Sequence, residues 1–348
     1  MRLRLGSNHF CAMTNFNFGG KDIVKTVTAK AHTNIALVKY WGKKDAALML
    51  PQNGSISLTL DHFYTQTSVT FDEHLDTDQI YFNHQHLPTG KSARISQFLD
   101  LIRQRSGQTN YATVKTENHV PTSAGLASSA SGFAALAGAA SRAAGLQLDA
   151  ADLSRLARRG SGSATRSIFG GFVEWHAGHD DQSSYAEVLQ DPVDWDIQMI
   201  AVVLKATKKP ISSTDGMARV VATSPYYPAW ITTAETDLKR MRQAIADRDL
   251  TTVGQIAETN AMRMHALNLS AEPAFNYFTA DTLTAIQAVN DLRSHGINCY
   301  YTLDAGPNVK IICAGQDTDT IMTGLQQHFD ADQLIVAKPG PGITITEK

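Results

Sequence analysis

The stretch Pro121-Thr122-Ser123-Ala124-Gly125-Leu126-Ala127-Ser128-Ser129-Ala130-Ser131-Gly132 runs without a break into an alanine-rich segment over 133–144. Alanine is the strongest helix former and serine a favoured N-cap, so a small-residue loop here feeds a helix starting near Ser128 and Ser129. A helix start bares several backbone N–H groups and carries partial positive charge, which suits an anion. Side chains this small also let a phosphate chain approach the backbone. The same string is equally compatible with an ordinary Gly/Ser loop ahead of a tightly packed helix, so the rest of the chain must decide.

Bulk properties exclude several classes. At 348 residues, 43% hydrophobic and 18% charged, the chain can build one large or two modest globular domains. A formal charge of −2 offers no basic excess for a nucleic acid, so any basic groups that matter are local. The three cysteines (Cys11, Cys299, Cys313) form no CxxC pair and no disulfide framework, which fits a cytoplasmic protein. No apolar run is long enough to span a bilayer. Residues 1–21 lack the continuous apolar core of a signal peptide and read as a flexible leader.

Further along, period-two patterns predict strands at 25–31, 55–60, 64–71 and 79–83, the second and third forming a hairpin. A helix follows over 92–105 and a strand over 111–117. After the alanine-rich helix come a helix at 149–158 and strands at 170–176 and 198–205. The acidic, loop-like stretch 177–195 between those strands is the best domain boundary. Helices are expected at 230–247, 251–267, 280–295 and 318–329, with strands at 299–303, 309–314, 333–337 and 342–346. His84 and His86 lack a third ligand and read as surface histidines; His265 reads as a packing or hydrogen-bonding residue.

Four further segments carry chemistry. Asn34-Ile35-Ala36-Leu37-Val38-Lys39-Tyr40-Trp41-Gly42-Lys43-Lys44-Asp45 sets three lysines around two aromatics, either a solvated edge or a cationic cluster aimed at an anion. Arg159-Gly160-Ser161-Gly162-Ser163-Ala164-Thr165-Arg166-Ser167 places a guanidinium three residues past a serine, suited to gripping a carboxylate or phosphate, or simply a surface loop. It lacks the lysine of a P-loop and the third glycine of a dinucleotide fingerprint. Lys208-Lys209-Pro210-Ile211-Ser212-Ser213-Thr214 is basic and hydroxyl-rich ahead of a helix that Ser212 or Ser213 would cap. Asp304-Ala305-Gly306-Pro307-Asn308 is a tight turn whose aspartate could equally bond its own backbone. Arg94, near a helix start where an acid would be more usual, hints at a facing anion.

Taken together, these strings resemble the diphosphomevalonate decarboxylase family of the GHMP kinase superfamily. The Lys-Tyr-Trp-Gly-Lys and Asp-Ala-Gly-Pro-Asn strings are particular to that branch, whereas the phosphate loop alone would indicate only the superfamily. The resemblance implies an α+β GHMP kinase fold. Its N-terminal domain (22–195) would resemble the second domain of ribosomal protein S5 and would pack on a ferredoxin-like C-terminal domain (196–348). It implies ATP-dependent decarboxylation of mevalonate 5-diphosphate to isopentenyl diphosphate, with ATP and Mg2+ required and a homodimer as the assembly. Nucleic acid and membrane are not expected as partners.

Residue by residue, the resemblance makes Asp304, Lys39 and Arg166 catalytic. Asp304 would orient or deprotonate the 3-hydroxyl, Lys39 would keep that carboxylate ionised, and Arg166 would hold the C1 carboxylate. Tyr40, Trp41, Gly42, Lys43, Arg94, Ser161, Gly162, Ser163, Ala164, Thr165, Ser213 and Thr214 would bind the substrate. Ser123, Gly125, Leu126, Ala127, Ser128 and Ser129 would bind ATP, with Ser129 reaching Mg2+ through the phosphates. Rival readings are a related kinase that does not decarboxylate, a monophosphate decarboxylase, and a ligand-binding protein on the same scaffold that has lost catalysis.

Overall fold

The computed structural model describes residues 25–120, 128–204 and 211–347. The leader and residues 121–127 of the small-residue loop therefore lie outside the described residues. Thr26–Val38 begins as the alternating strand its pattern predicts, with Val27, Ala29 and Ala31 buried, then becomes buried on both faces to Val38. One face meets the helix Ser128–Ala143, whose alanines at 134, 135, 137, 139 and 140 are wholly buried against Ala29, Ala31 and Val114. Its other face reaches Leu238, Met241, Val253 and Ile256 of the two long helices Tyr227–Ala246 and Leu250–Leu269.

This strand belongs to an eight-stranded sheet whose other long member is Ser55–Asp72. The hairpin expected over 55–71 is instead that single 18-residue strand. Asp61 and His62 both face outward while Phe63 enters the core, so the strand shifts faces without reversing. No Gly, Pro or Asn stands at 61–63 to close a turn. The loop expected over 177–195 also contains a strand, Ala186–Gln190, paired antiparallel with Phe172–Trp175. Backbone pairing supplies there what weak apolar alternation did not advertise.

The second half forms a four-stranded antiparallel sheet. Its spatial order is Leu334–Ala337, Gln198–Val202, Val309–Cys313, Cys299–Leu303, that is fourth, first, third, second, as in a ferredoxin-like βαββαβ unit. Strand periodicity gives the sheet two buried faces. Ile200, Val202, Val309 and Ile311 pack with the helices Ala280–Ser294 and Thr318–Leu325, while Met199, Ala201 and Ile312 join the core containing Ile35 and Leu58 of the first sheet. This shared apolar layer locks the two sheets together. The last strand, Thr344–Glu347, returns to pair with Thr26–Val38 in the first sheet.

Candidate active site

Lys39 follows directly on the long strand. With no strand partner there, its backbone is held by side chains: its N–H donates to Asn260 Oδ1 at 2.8 Å, and Asn53 Nδ2 donates to its carbonyl at 2.8 Å. The side chain is 2% exposed, and its Nζ lies 2.6 Å from the Ala36 carbonyl and 2.9 Å from Asp304 Oδ1. Asp304 opens the turn between Cys299–Leu303 and Val309–Cys313, and its side chain remains 22% exposed. Lys310, on the returning strand opposite Thr302, places its Nζ 2.9 Å from the other carboxylate oxygen. Each oxygen of Asp304 therefore faces its own lysine. Burial alone would raise the Asp304 carboxyl, but Lys310 and Lys39 outweigh it and hold it well below the ordinary carboxylate range. Burial pushes the Lys39 ammonium down to about 8 against the pull of Asp304, and Lys310 and Arg166 add to the fall.

Arg166 sits on the 3₁₀ turn Gly162–Ile168 and is 2% exposed. Its Nε donates to Ser57 Oγ at 3.0 Å and Asn34 Oδ1 at 3.2 Å, and its Nη1 donates to Ser55 Oγ. Its Nη2 makes no hydrogen bond among the described residues. These anchors lie on the two long strands, so the sheet itself aims the guanidinium.

Lys39, Arg166 and Asp304 all line one cavity of about 470 Å³. Tyr40, Trp41, Lys43, Arg94, Ser129, Ser161, Gly162, Ser163, Ser213 and Thr214 line it too. Among the described residues, four cationic side chains thus face a single carboxylate, which selects a polyanion. Lys43 and Arg94 are both depressed by burial, and Arg94 adds to the effect on Lys43. Arg94 is steered by the Gly160 carbonyl, 2.5 Å from its Nη2, and by the Phe133 ring beneath its guanidinium. Ser213 and Thr214 lie in the first turn of the helix Ser213–Thr223, which Ser212 caps by accepting from the Asp215 N–H. That turn presents helix N–H groups to the same space. Tyr40 Oη and Trp41 Nε1 are buried without a hydrogen-bond partner among the described residues, as expected of groups whose partner is a ligand.

A second cavity of about 200 Å³, mostly apolar, adjoins the first and shares Ser129 with it. Ile80, Tyr81, Phe82, Ile95, Phe133 and Leu136 form much of its wall. Ser128 opens the alanine-rich helix, and Ser129 Oγ accepts from Ser161 Oγ at 3.4 Å. Ser123, Gly125, Leu126 and Ala127 lie outside the described residues. Among the described residues, no group of three His, Cys, Asp or Glu side chains is placed to hold a metal ion.

Three expected substrate residues lie off the cavity lining. Gly42 has φ +115°, and a Cβ there would run into the Tyr227 hydroxyl, which donates to the Trp41 carbonyl at 2.8 Å. Its place is the turn that lets Tyr227 brace the cationic segment. Ala164 is buried in the core under the alanine-rich helix, and Thr165 Oγ1 donates to the Gly162 carbonyl at 2.7 Å. Both sit on the inner side of the turn that carries Ser163 and Arg166. His265 is buried against Phe278 and Tyr277, with neither ring nitrogen in a well-formed hydrogen bond among the described residues. Burial, then Lys39, pushes it down to about 3, so it is neutral. Sequence reasoning missed Lys310 and the Asn34, Ser55 and Ser57 anchors. For Lys310 the signal was present: a lone lysine inside the apolar run Val309-Lys310-Ile311-Ile312-Cys313.

Comparison with known proteins agrees with this geometry. Residues 31–186 match the diphosphomevalonate decarboxylase-like N-terminal domain, and residues 199–339 match the mevalonate 5-diphosphate decarboxylase C-terminal domain. The diphosphomevalonate decarboxylase of Candida albicans is 35% identical over 322 residues, covering 87% of this chain and 88% of that protein. The human diphosphomevalonate decarboxylase is 33% identical over 359 residues, covering 91% and 89%. Among solved structures, the mevalonate diphosphate decarboxylase from Enterococcus faecalis superposes with a TM-score of 0.89 at 46% identity, covering 93% of this chain and all of that one. A complex of MDDEF with MVAPP, AMPPCP and magnesium gives a TM-score of 0.90 at 46% identity, with the same coverage. A ferredoxin-like second half locked to a sheet bearing the alanine-rich helix, an aspartate held between two buried lysines, and relatives matched along nearly the whole chain lead to one statement: the chain belongs to the diphosphomevalonate decarboxylase family.

Proposed function

We propose that Asp304, Lys39 and Arg166 carry out the family's reaction in the larger cavity. The protein converts mevalonate 5-diphosphate and ATP to isopentenyl diphosphate, ADP, phosphate and CO2. The carrying observation is that these three side chains, from distant parts of the chain, line one cavity with Ser129, Ser213 and Thr214.

The chemistry has two stages. A tertiary alcohol first attacks the γ-phosphoryl group. A carboxylate held as far below its ordinary range as Asp304 is a weak proton acceptor, which favours orientation of the 3-hydroxyl over early deprotonation. Orientation suffices where the transition state is loose and the nucleophile contributes little bonding. Lys39, hydrogen-bonded to Asp304 and lining the cavity, offsets charge on the transferring group. In the second stage the C1–C2 bonding electrons form the C2–C3 double bond, the tertiary phosphate leaves with the C3–O pair, and CO2 departs. Negative charge thereby moves from carboxylate to phosphate. A guanidinium that gripped the carboxylate too well would stabilise the ground state. Sharing of Arg166 among Ser55, Ser57 and Asn34, with Nη2 left for the ligand, fits a grip of moderate strength.

Lys43, Arg94, Ser213 and Thr214, with Tyr40 and Trp41 as further donors, suit the diphosphate. The apolar cavity suits the adenine ring, and Ser129 at the junction suits the nucleotide phosphates. Magnesium favours phosphate oxygens and water over a protein cage, which agrees with the lack of an acidic cluster among the described residues, and the Ser129 hydroxyl would hold it there. When bound, it spreads phosphate charge. A cytoplasmic location rests on the cysteine usage, and a homodimer on the family resemblance. The domain division at 195/196 rests on the composition shift in the sequence. The deciding assay mixes protein, ATP, Mg2+ and mevalonate 5-diphosphate and follows ADP and CO2 together. Equal release supports the reading; ADP without CO2 selects a kinase, and neither product overturns it.

A further inference from the structure

Lys310 has no place in the reaction as written, yet its burial demands a reason. The side chain is 1% exposed and off the cavity lining. Its strand neighbours Val309, Ile311, Ile312 and Cys313 are all apolar and wholly buried, and removing a lysine from water is costly unless the charge is met. It is met by Asp304 Oδ2 at 2.9 Å, with the Asn308 carbonyl at 3.4 Å. Lys39 takes the other oxygen but lines the cavity. One carboxylate is thus shared between a cation that lines the cavity and a cation that lies behind that lining.

We propose that Lys310 is a positioning residue for phosphoryl transfer, holding Asp304 ionised and oriented from beneath while Lys39 is drawn toward the transferring group. This rests on the roles given to Asp304 and Lys39 above. An incoming phosphoryl group competes with Asp304 for Lys39. Without a second cation, the carboxylate would meet an approaching anion with half of its counter-charge diverted. It would then take up a proton or swing away, and in either case the 3-hydroxyl loses its acceptor.

The charged and titratable groups around the Lys310–Asp304 pair are Lys39 after the long strand, Arg166 on the 3₁₀ turn and His265 on the helix Leu250–Leu269. His265 is neutral, so it does not substitute for the missing charge. Removing the Lys310 charge relieves both neighbours in the same sense: Asp304 loses a cation that lowers it, and Lys39 loses a like charge that lowers it. Both limbs of the pH profile should therefore move upward together.

The test measures wild type, Lys310→Met, Lys310→Arg and Asp304→Asn for ADP and CO2 release across pH. Lys310→Met should lower kcat about tenfold or more, leave the KM for ATP within about twofold, and shift both limbs of kcat/KM to higher pH. Lys310→Arg, which keeps the charge, should leave the limbs in place and recover much of the rate. A Lys310→Met enzyme that melts earlier but keeps wild-type limbs shows a packing role only and overturns the proposal. If Lys310→Met yields no folded protein, the second neutral variant Lys310→Gln decides: upward-shifted limbs support the proposal, and wild-type limbs sink it. An inactive wild type or a fully active Asp304→Asn instead brings down the underlying assignment of Asp304, so the two failures are told apart.

Discussion

Two aspartates in this protein, one nearly buried and one half-buried, are each neutralised by different means. Asp78 meets Arg103 in a two-pronged pair, Nη1 to Oδ1 and Nη2 to Oδ2, each at 3.0 Å, and also accepts from the Ala112 N–H at 2.9 Å. Its side chain is only 3% exposed. Asp304 is met by two point charges from separate elements and opens onto a cavity. A planar guanidinium uses both carboxylate oxygens in one geometry, which suits a permanent tie between the helix Thr89–Ser106 and the strand Tyr111–His119. Two ammonium groups on flexible stems can release one contact and keep the other. The first arrangement serves stability, and the second leaves a charge available for chemistry.

The largest effect should come from Asp304→Asn, which removes the acceptor while nearly preserving shape. Turnover should fall about a thousandfold with ATP binding retained, measured by product release and by nucleotide titration. Turnover within tenfold of wild type would falsify the role given to that carboxylate. Asp78→Ala should give the opposite signature. Stability should drop by about 1–3 kcal/mol, because Arg103 keeps Asp100 but loses its two-pronged partner and the Ala112 N–H loses its acceptor, with kcat of the folded fraction within about twofold. Denaturant melts paired with active-site titration check this, and a comparable loss of kcat would erase the contrast. Arg166→Gln should cut kcat about a hundredfold, with CO2 release falling more than ADP release, because the guanidinium is placed at the carboxylate end. Equal loss of both products would move Arg166 to the phosphoryl step.

The smallest effect concerns pH. The Lys39 ammonium, lowered by burial to about 8, is charged below that pH and neutral above it. Activity should therefore fall as pH rises through about 8, by about tenfold per unit in kcat/KM. Stability should respond in the other direction for this group. Between about 8 and its unfolded value of 10.5, the unfolded chain binds a proton that the folded chain does not, so the cost of burying the charge is relieved as pH rises. Arg103, by contrast, is raised: burial would lower it, but Asp78 and Asp100 outweigh burial, so its pair shows no alkaline limb. A kcat/KM profile flat to pH 10 would remove the distinction.

Local signals carried most of the elements. The alanine-rich helix, the helix Ala150–Gly160 with its Asp149 cap, and the strands flanking the Asp304 turn all lie where periodicity and capping residues place them. The expected hairpin at 55–71 and loop at 177–195 failed for a shared reason: whether a weakly patterned stretch turns or continues depends on a partner strand elsewhere. Site residues followed the same division. Lys39, Tyr40, Trp41 and Lys43 stand out as a cluster, while Gly42, Ala164 and Thr165, named for their adjacency in the chain, lie in the turns behind the cavity lining.

What the sequence determined by itself was the inventory: which segments favour helix or strand, where a turn must fall, and which strings belong to the decarboxylase branch. Only the tertiary structure decided which charges leave water. Lys39 and Asp304 meet across 265 positions, and Arg166 takes its aim from serines more than 100 residues away. Propensity and capping act within a few residues, so they are written locally. The free energy of burying an ion depends on what surrounds it from every side, and that is settled only when the two sheets close on each other.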